Sequence, residues 1–229
     1  MKRIKATDMY LKSLNALLSA MCLLFKNRRA LVLILATYVG LLSTLYLFVS
    51  TPISQLLVTF SSIAVAPALF FVLQAVSVSY TNKSGRVGIN SLKLFIVSLP
   101  VIALTAFAIY GLSRLQTHLT IATTLRYVLI AFVAPLLVIQ LWIATSNSGL
   151  SRLGRVLRKT FAPPSVVVYA CGFLIFAVAP YLLLRKSIST ERAWLEVSLL
   201  TVRLAASATL MLVGWVTTVG AISILSRDD

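Results

Sequence analysis

Acidic residues and histidine are scarce in this sequence. Among 229 residues there are five Asp and Glu and one histidine, and only 11% of the residues are charged. Soluble domains have about 25% charged residues, whereas 59% of this chain is hydrophobic and its mean hydropathy is +0.98. This composition excludes a soluble globular domain and predicts a protein that faces lipid.

The acidic residues and the histidine also form no recognisable functional set. They are Asp8, His118, Glu191, Glu196, Asp228 and Asp229, all outside the long apolar runs. No carboxylate pair, metal-ligand spacing, Ser/His/Asp set or phosphate-binding glycine loop can be assembled from them. We therefore expect no catalytic residue, no metal, no cofactor and no enzymatic activity. A proton- or sodium-driven carrier is also disfavoured, because such carriers commonly use intramembrane Asp or Glu.

Six apolar runs are long enough to cross a bilayer, whose hydrocarbon core needs about 20 helical residues. They cover about 30–49, 56–79, 94–112, 127–145, 165–184 and 202–225. These runs are apolar on all helix faces, whereas barrel strands are segments of about ten residues with alternating polarity. The sequence therefore predicts an all-α fold, with a polytopic six-helix transmembrane bundle at 30–229 after a basic N-terminal segment at 1–29.

The distribution of the 21 lysines and arginines predicts the orientation. With the N-terminus inside, fifteen of them lie on the cytoplasmic side and six on the other, as is typical because cytoplasmic loops retain positive charge. The six are Arg114, Arg126, Arg185, Lys186, Arg192 and Arg203. We predict a plasma membrane protein, in a bacterial inner membrane, with both termini in the cytoplasm.

Residues 9–25 have the periodicity of an amphipathic helix. One stripe is apolar and consists of Leu11, Leu14, Leu18, Met21 and Phe25. Another line is polar and consists of Asp8, Lys12, Asn15, Ser19 and Lys26. Two positions suit this helix equally well. It either lies in the cytoplasmic interface with its apolar stripe among acyl chains, or packs across the mouth of the bundle.

Basic residues near the cytoplasmic span ends are the expected contacts of anionic lipid headgroups. They are Lys12, Lys26, Arg28 and Arg29 near the N-terminus, and Arg152, Arg155, Arg158 and Lys159 before the fifth span. No aromatic interleaving or base-reading module accompanies them, so nucleic acid is not an expected partner. The expected partners are the bilayer with its anionic headgroups, and either other membrane-protein subunits or further copies of this chain.

Two spans contain a proline followed by a glutamine. Pro67 precedes Gln74 in the second span, and Pro135 precedes Gln140 in the fourth. Each proline removes one helical hydrogen bond, so both helices should kink, and the released carbonyls need partners within the bundle. The two glutamines either line a cavity beside the kinked helices, as in transporters, or bind neighbouring helices to each other.

The proline segments also suggest an internal repeat. Val-Ala-Pro occurs at 65–67 and at 133–135, each time in a span that is predicted to run toward the cytoplasm and to precede a basic loop. Three units, each of a basic segment and two spans, would account for the six spans. A third Val-Ala-Pro, at 178–180, falls in a span that is predicted to run the other way.

Together these features favour a non-enzymatic multi-pass membrane protein that acts as a scaffold or assembly subunit. The alternative is a permease-like or channel-like protein for small solutes. In that alternative the kinks at Pro67 and Pro135 and the side chains of Gln74 and Gln140 form the solute path.

The predicted orientation can be tested with an impermeant thiol reagent. After Cys22 and Cys171 are replaced, the Ser54→Cys variant should be labelled from outside, because the loop at 50–55 carries no charge. The Ser84→Cys variant should be labelled only after the membrane is permeabilised. Labelling of Ser84→Cys but not of Ser54→Cys from outside would reverse the orientation.

Overall fold

The computed structural model describes residues 6–52, 55–81, 87–114, 119–147, 160–185 and 192–226. Within these ranges the regular structure is helical and no strand occurs, which confirms the all-α fold. Six helical rods are long and apolar enough to cross a membrane, which confirms the six predicted spans. They are Arg28–Ser50, Leu56–Ser79, Ser91–Arg114, Thr120–Ser146, Pro163–Arg185 and Trp194–Leu225.

Two of the six rods are divided by π-helical turns. The α-helices in chain order are α1 (Ala6–Lys26), α2 (Arg28–Ser50), α3 (Leu56–Ser79), α4 (Val87–Arg114), α5 (Leu119–Val128), α6 (Ala134–Asn147), α7 (Pro163–Phe173), α8 (Ala179–Arg185) and α9 (Ala193–Leu225). A π-helical turn at Leu129–Val133 joins α5 to α6, and a second one at Leu174–Val178 joins α7 to α8.

The last helix begins well before the predicted start of its apolar run at residue 202. It starts at Ala193 and contains both Glu196 and Arg203. Glu196 lies in the first turn, where a negative charge interacts favourably with the free backbone amides of the helix. The charged side chains therefore do not interrupt the helix, which is longer than the apolar run alone predicts.

A single non-helical residue, Asn27, separates α1 from α2. Its side-chain oxygen accepts a hydrogen bond from the amide of Ala30 at 3.2 Å and so caps the start of α2. The backbone of Asn27 leaves the helical region, with φ −91° and ψ 79°. The chain therefore turns at this residue, and α1 packs mainly against α9 and α7.

The buried core lies at one end of the bundle, which we call the α1 end: it holds α1, the start of α2 and the end of α9. The largest fully buried side chains include Leu24, Ile34, Ile139, Tyr169 and Ile222. Helix α9 is central to this core, because it packs against α1, α3, α6, α7 and α8. In its most apolar window 61% of the residues are buried, against 6% in α2.

The opposite end of the bundle, which we call the far end, holds the end of α2, the end of α4 and the end of α8. Apolar side chains there are largely exposed: Val49 is 82% exposed, Leu57 is 89% exposed and Phe107 is 75% exposed. Lipid tails are as apolar as these side chains, so this exposure is compatible with a bilayer.

Two glycines allow close contacts at the α1 end. A Cβ atom on Gly220 of α9 would overlap the hydroxyl and ring of Tyr80, and a Cβ atom on Gly172 of α7 would overlap the side chain of Thr218. Small residues permit this kind of helix approach in membranes. The packing of α9 against its neighbours therefore requires glycine, which has no Cβ atom, at these two positions.

We expect the Gly220→Ala substitution to destabilise the protein by about 1–3 kcal/mol, because the buried Tyr80 has to move. The matched control is Gly111→Ala in α4, where an added Cβ atom meets nothing within 4 Å. This control should be neutral or slightly stabilising, since alanine favours a helix. Unfolding in mixed micelles measures both changes, and equal stability of the two variants would contradict the assigned packing.

Candidate functional site around the last helix

Gln74 of α3 is buried against the last helix. Its side chain is 1% exposed, and its Oε1 accepts a hydrogen bond from the indole Nε1 of Trp215 at 2.8 Å. A buried amide that lacks a hydrogen-bond partner is costly, so this contact satisfies the amide oxygen and joins α3 to α9.

Gln140 of α6 is also buried, at 3% exposure, and contacts two other segments. Its Nε2 donates to the hydroxyl of Ser165 in α7 at 3.5 Å, and its Oε1 accepts from the hydroxyl of Ser226 at 3.3 Å. Trp215 and Ser226, the two partners at α9, are about 16 Å apart along a helix. The two glutamines therefore belong to separate contacts.

Further neutral hydrogen bonds connect the last helix to α1 and α3. The hydroxyl of Tyr80 lies 3.3 Å from the carbonyl of Ala20 and 3.4 Å from that of Val216. The hydroxyl of Thr81 donates to that of Ser223 at 3.1 Å. Burial raises the pKa of Tyr80 above its ordinary value, so this hydroxyl remains a donor.

Pro135 follows the π-helical turn at Leu129–Val133. Proline has no amide hydrogen, so the carbonyl of Ala131, four residues earlier, lacks its usual helical donor. The hydroxyl of Tyr169 in α7 donates to this carbonyl at 2.7 Å, and Tyr169 is 1% exposed. The partner that the sequence analysis required for this span therefore comes from the neighbouring rod.

The π-helical turn at Leu174–Val178 precedes Pro180 in the same way. In both rods the amide just before the proline donates to the carbonyl five residues earlier. The ring of Phe132 in the first turn and the ring of Phe173, which directly precedes the second turn, have centroids 4.9 Å apart. Pro67, by contrast, lies inside a continuous α-helix.

These two π-helical turns were not predicted from the sequence. The sequence feature that accompanies them is the Val-Ala-Pro tripeptide. Its valine is the last residue of a π-helical turn at 133–135 and at 178–180, whereas at 65–67 the tripeptide lies inside an α-helix. In this feature the fourth span resembles the fifth. The internal repeat suggested by the sequence had instead paired the fourth span with the second.

Two apolar cavities lie on either side of Phe70 and Trp215. One has a volume of about 250 Å³ and also includes Gln74 and Phe176, and the other has about 290 Å³ and includes Pro135. Pro67 lines a third cavity of about 290 Å³ between α3 and α4. Aromatic and aliphatic side chains form most of these walls.

Arginines at the far end bind the last turns of the preceding helices. Arg126 donates from Nη2 to the carbonyl of Leu112 at 3.1 Å, and Arg203 donates to the carbonyl of Leu183. In each case the helix that provides the carbonyl ends in a Tyr-x-Leu-x-Arg sequence, at 110–114 and at 181–185. Arg203 was predicted on the side opposite the cytoplasm, but this repeated motif was not predicted.

The structure describes only some of the basic residues that were predicted to contact lipid headgroups. Lys12 and Lys26 lie on α1, and Arg28 and Arg29 begin α2. Arg152, Arg155, Arg158 and Lys159, together with His118, lie outside the described residues.

Comparisons with known proteins give no assignment. No protein-family model matches the chain, and no curated protein and no solved structure matches it significantly. The function therefore has to be inferred from the contacts described above.

We expect the Tyr169→Phe substitution to destabilise the protein by about 1–2 kcal/mol, because the carbonyl of Ala131 loses its donor. In a Pro135→Ala background the cost should be smaller, since the new amide at 135 supplies a donor. The matched control, Tyr181→Phe, alters an exposed tyrosine and should change stability by less than about 0.5 kcal/mol. A double-mutant cycle in mixed micelles measures this coupling, and equal costs in both backgrounds would rule out the assigned role of Tyr169.

Proposed function

We propose that the protein is a non-enzymatic membrane subunit that holds or assembles partner proteins in the bilayer. The observation that carries this proposal is that its buried glutamines form hydrogen bonds with side chains of neighbouring helices. Gln74 binds Trp215, and Gln140 binds Ser165 and Ser226, so both glutamines connect helices. Such contacts give a stable bundle whose outer surface is available to other helices.

The walls of the described cavities support this scaffold over a solute path. An ion or a polar solute loses hydration when it enters the membrane, and a pathway has to replace that hydration with polar groups. The cavities beside Trp215 are mostly apolar, and the amide oxygen of Gln74 already accepts the indole hydrogen. These contacts favour a structural role for the glutamine over solvation of a passing solute.

The far end offers surface for partner helices. Helix α2 packs mainly against α3 and exposes Val39, Tyr46 and Val49, and α4 exposes Leu104 and Phe107. Transmembrane partners associate with such surfaces by close packing. We propose that the partners are other membrane-protein subunits. If the partner were a second copy of this chain, the mass of the complex would show it.

We also propose a plasma membrane of the bacterial inner type, with both termini in the cytoplasm and α1 as an amphipathic helix in the interface. The bias of fifteen basic residues to six supports this orientation. It places the α1 end of the bundle at the cytoplasmic face and the far end at the opposite face.

The Gln74→Leu/Gln140→Leu variant tests the scaffold against the permease. If both side chains bind helices together, stability should change by no more than about 2 kcal/mol and partners should remain bound. Gln55→Leu, which alters an exposed glutamine before α3, is the matched control. Native mass spectrometry of gently solubilised membranes measures the association, and flux of ions or a neutral sugar into vesicles measures transport.

Two outcomes would contradict the proposed function. The first is a wild-type protein that leaves its native membrane as a single chain without other subunits. The second is wild-type vesicles that transport a solute, together with a folded double variant that does not, which would favour the permease.

A further inference from the structure

Helix α1 has three faces in three different environments. The first is buried against the bundle and consists of Ser13, Ala16, Ala20 and Leu24. The second is apolar, 43% to 58% exposed, and consists of Leu11, Leu14, Leu18, Met21 and Phe25. The third is polar: Lys12, Asn15, Ser19 and Lys26 are exposed on it, and Asp8 falls on the same face by its position in the helix. With 3.6 residues per turn, the centres of these faces are about 120° apart.

This division suits a helix that lies in the membrane interface beside the bundle. One face then meets protein, one meets acyl chains, and one meets headgroups and water. A helix that crossed the membrane would bring Lys12 into the hydrocarbon, where a charge is costly. The exposed polar face of α1 is therefore at the level of the lipid headgroups.

A groove runs between this polar face and the end of α9. Lys12, Asn15 and Ser19 line one side, Ile224 and Leu225 line the other, and the volume is about 410 Å³. An ammonium, an amide and a hydroxyl all offer hydrogen-bond donors, and a phosphodiester anion offers only acceptors. Among the described residues that line the groove, none is acidic.

Leu11 belongs both to the groove and to the apolar face of α1. A molecule with its phosphate in the groove can therefore continue along Leu14 and Leu18 with its hydrocarbon chains. This continuity indicates an amphiphile and distinguishes the groove from a site for a soluble anion. The net charge of +16 favours a negatively charged ligand over a zwitterionic one.

We propose that the groove between α1 and α9 binds the headgroup of an anionic phospholipid. Lys12, Asn15 and Ser19 contact the phosphate, and the acyl chains lie along the leucine face of α1. This site is independent of the proposed scaffold function and assigns to Lys12 a role that Lys26, on the same helix face but outside the groove lining, does not have.

The test is native mass spectrometry of the full chain with phosphatidylglycerol and with phosphatidylcholine of the same acyl chains. Phosphatidylglycerol should bind more tightly. The Lys12→Gln substitution should weaken its binding about fivefold, which corresponds to about 1 kcal/mol for a basic residue near anionic lipid. Asn15→Ala should also weaken binding, although it leaves the net charge unchanged. Lys26→Gln, the charge-matched control, should have a clearly smaller effect.

Three results would overturn the assignment. Equal losses for Lys12→Gln and Lys26→Gln, with Asn15→Ala unaffected, would indicate attraction to the surface charge in general. Equal binding of the two lipids would contradict the selection of an anionic headgroup. Displacement of the lipid by inorganic phosphate alone would point to a free anion, because the acyl chains would then contribute nothing. Each variant is first checked for the wild-type helical circular dichroism spectrum.

Discussion

A buried polar group in a membrane protein has to find its partner within the protein, because the surrounding hydrocarbon offers none. In the described bundle the last helix supplies several of these partners. Trp215 binds Gln74, Ser223 binds Thr81, and Ser226 binds Gln140. Since these contacts reach different rods, α9 connects spans that are distant in sequence. Its central position follows from this need, and the small residues at Gly172 and Gly220 allow the helices to approach closely enough.

Proline imposes the same need on the backbone. Pro135 deprives the carbonyl of Ala131 of a donor, and Tyr169 from another rod restores one. Phe132 of the first π-helical turn contacts Phe173, which directly precedes the second turn, so aromatic side chains connect the two rods at this level. Irregular backbone in a membrane is tolerated where protein surrounds it. Ile130 of the first turn lines one apolar cavity at Trp215 and Phe176 of the second turn lines the other, so both turns border protein on that side.

The sequence predicts the spans better than their contacts. Runs of about 20 apolar residues have few alternatives to a membrane helix, so the six rods contain the six predicted runs, although the fourth begins at Thr120 and not near 127. The start of α9 was placed too late, because Glu196 was assigned to the loop before the apolar run, whereas it lies in the first turn of the helix. The loss of a donor at Pro135 is a local property, but Tyr169, which binds the carbonyl of Ala131, lies 38 residues from Ala131 in the chain. Likewise, Gln74 marks a polar contact, and only the packing shows that it meets Trp215.

The π-helical turns also change the rotational phase of their rods. A turn closed by bonds to the fifth residue contains about one residue more than an α-helical turn, and one residue corresponds to a rotation of about 100°. The side chains of α5 and α6 are therefore out of phase with those of one uninterrupted α-helix. This offset allows one rod to direct Arg126 toward the carbonyl of Leu112 at the far end and Gln140 toward Ser165 at the α1 end. Loss of a single residue between 129 and 133 would rotate one half against the other and separate one of these pairs.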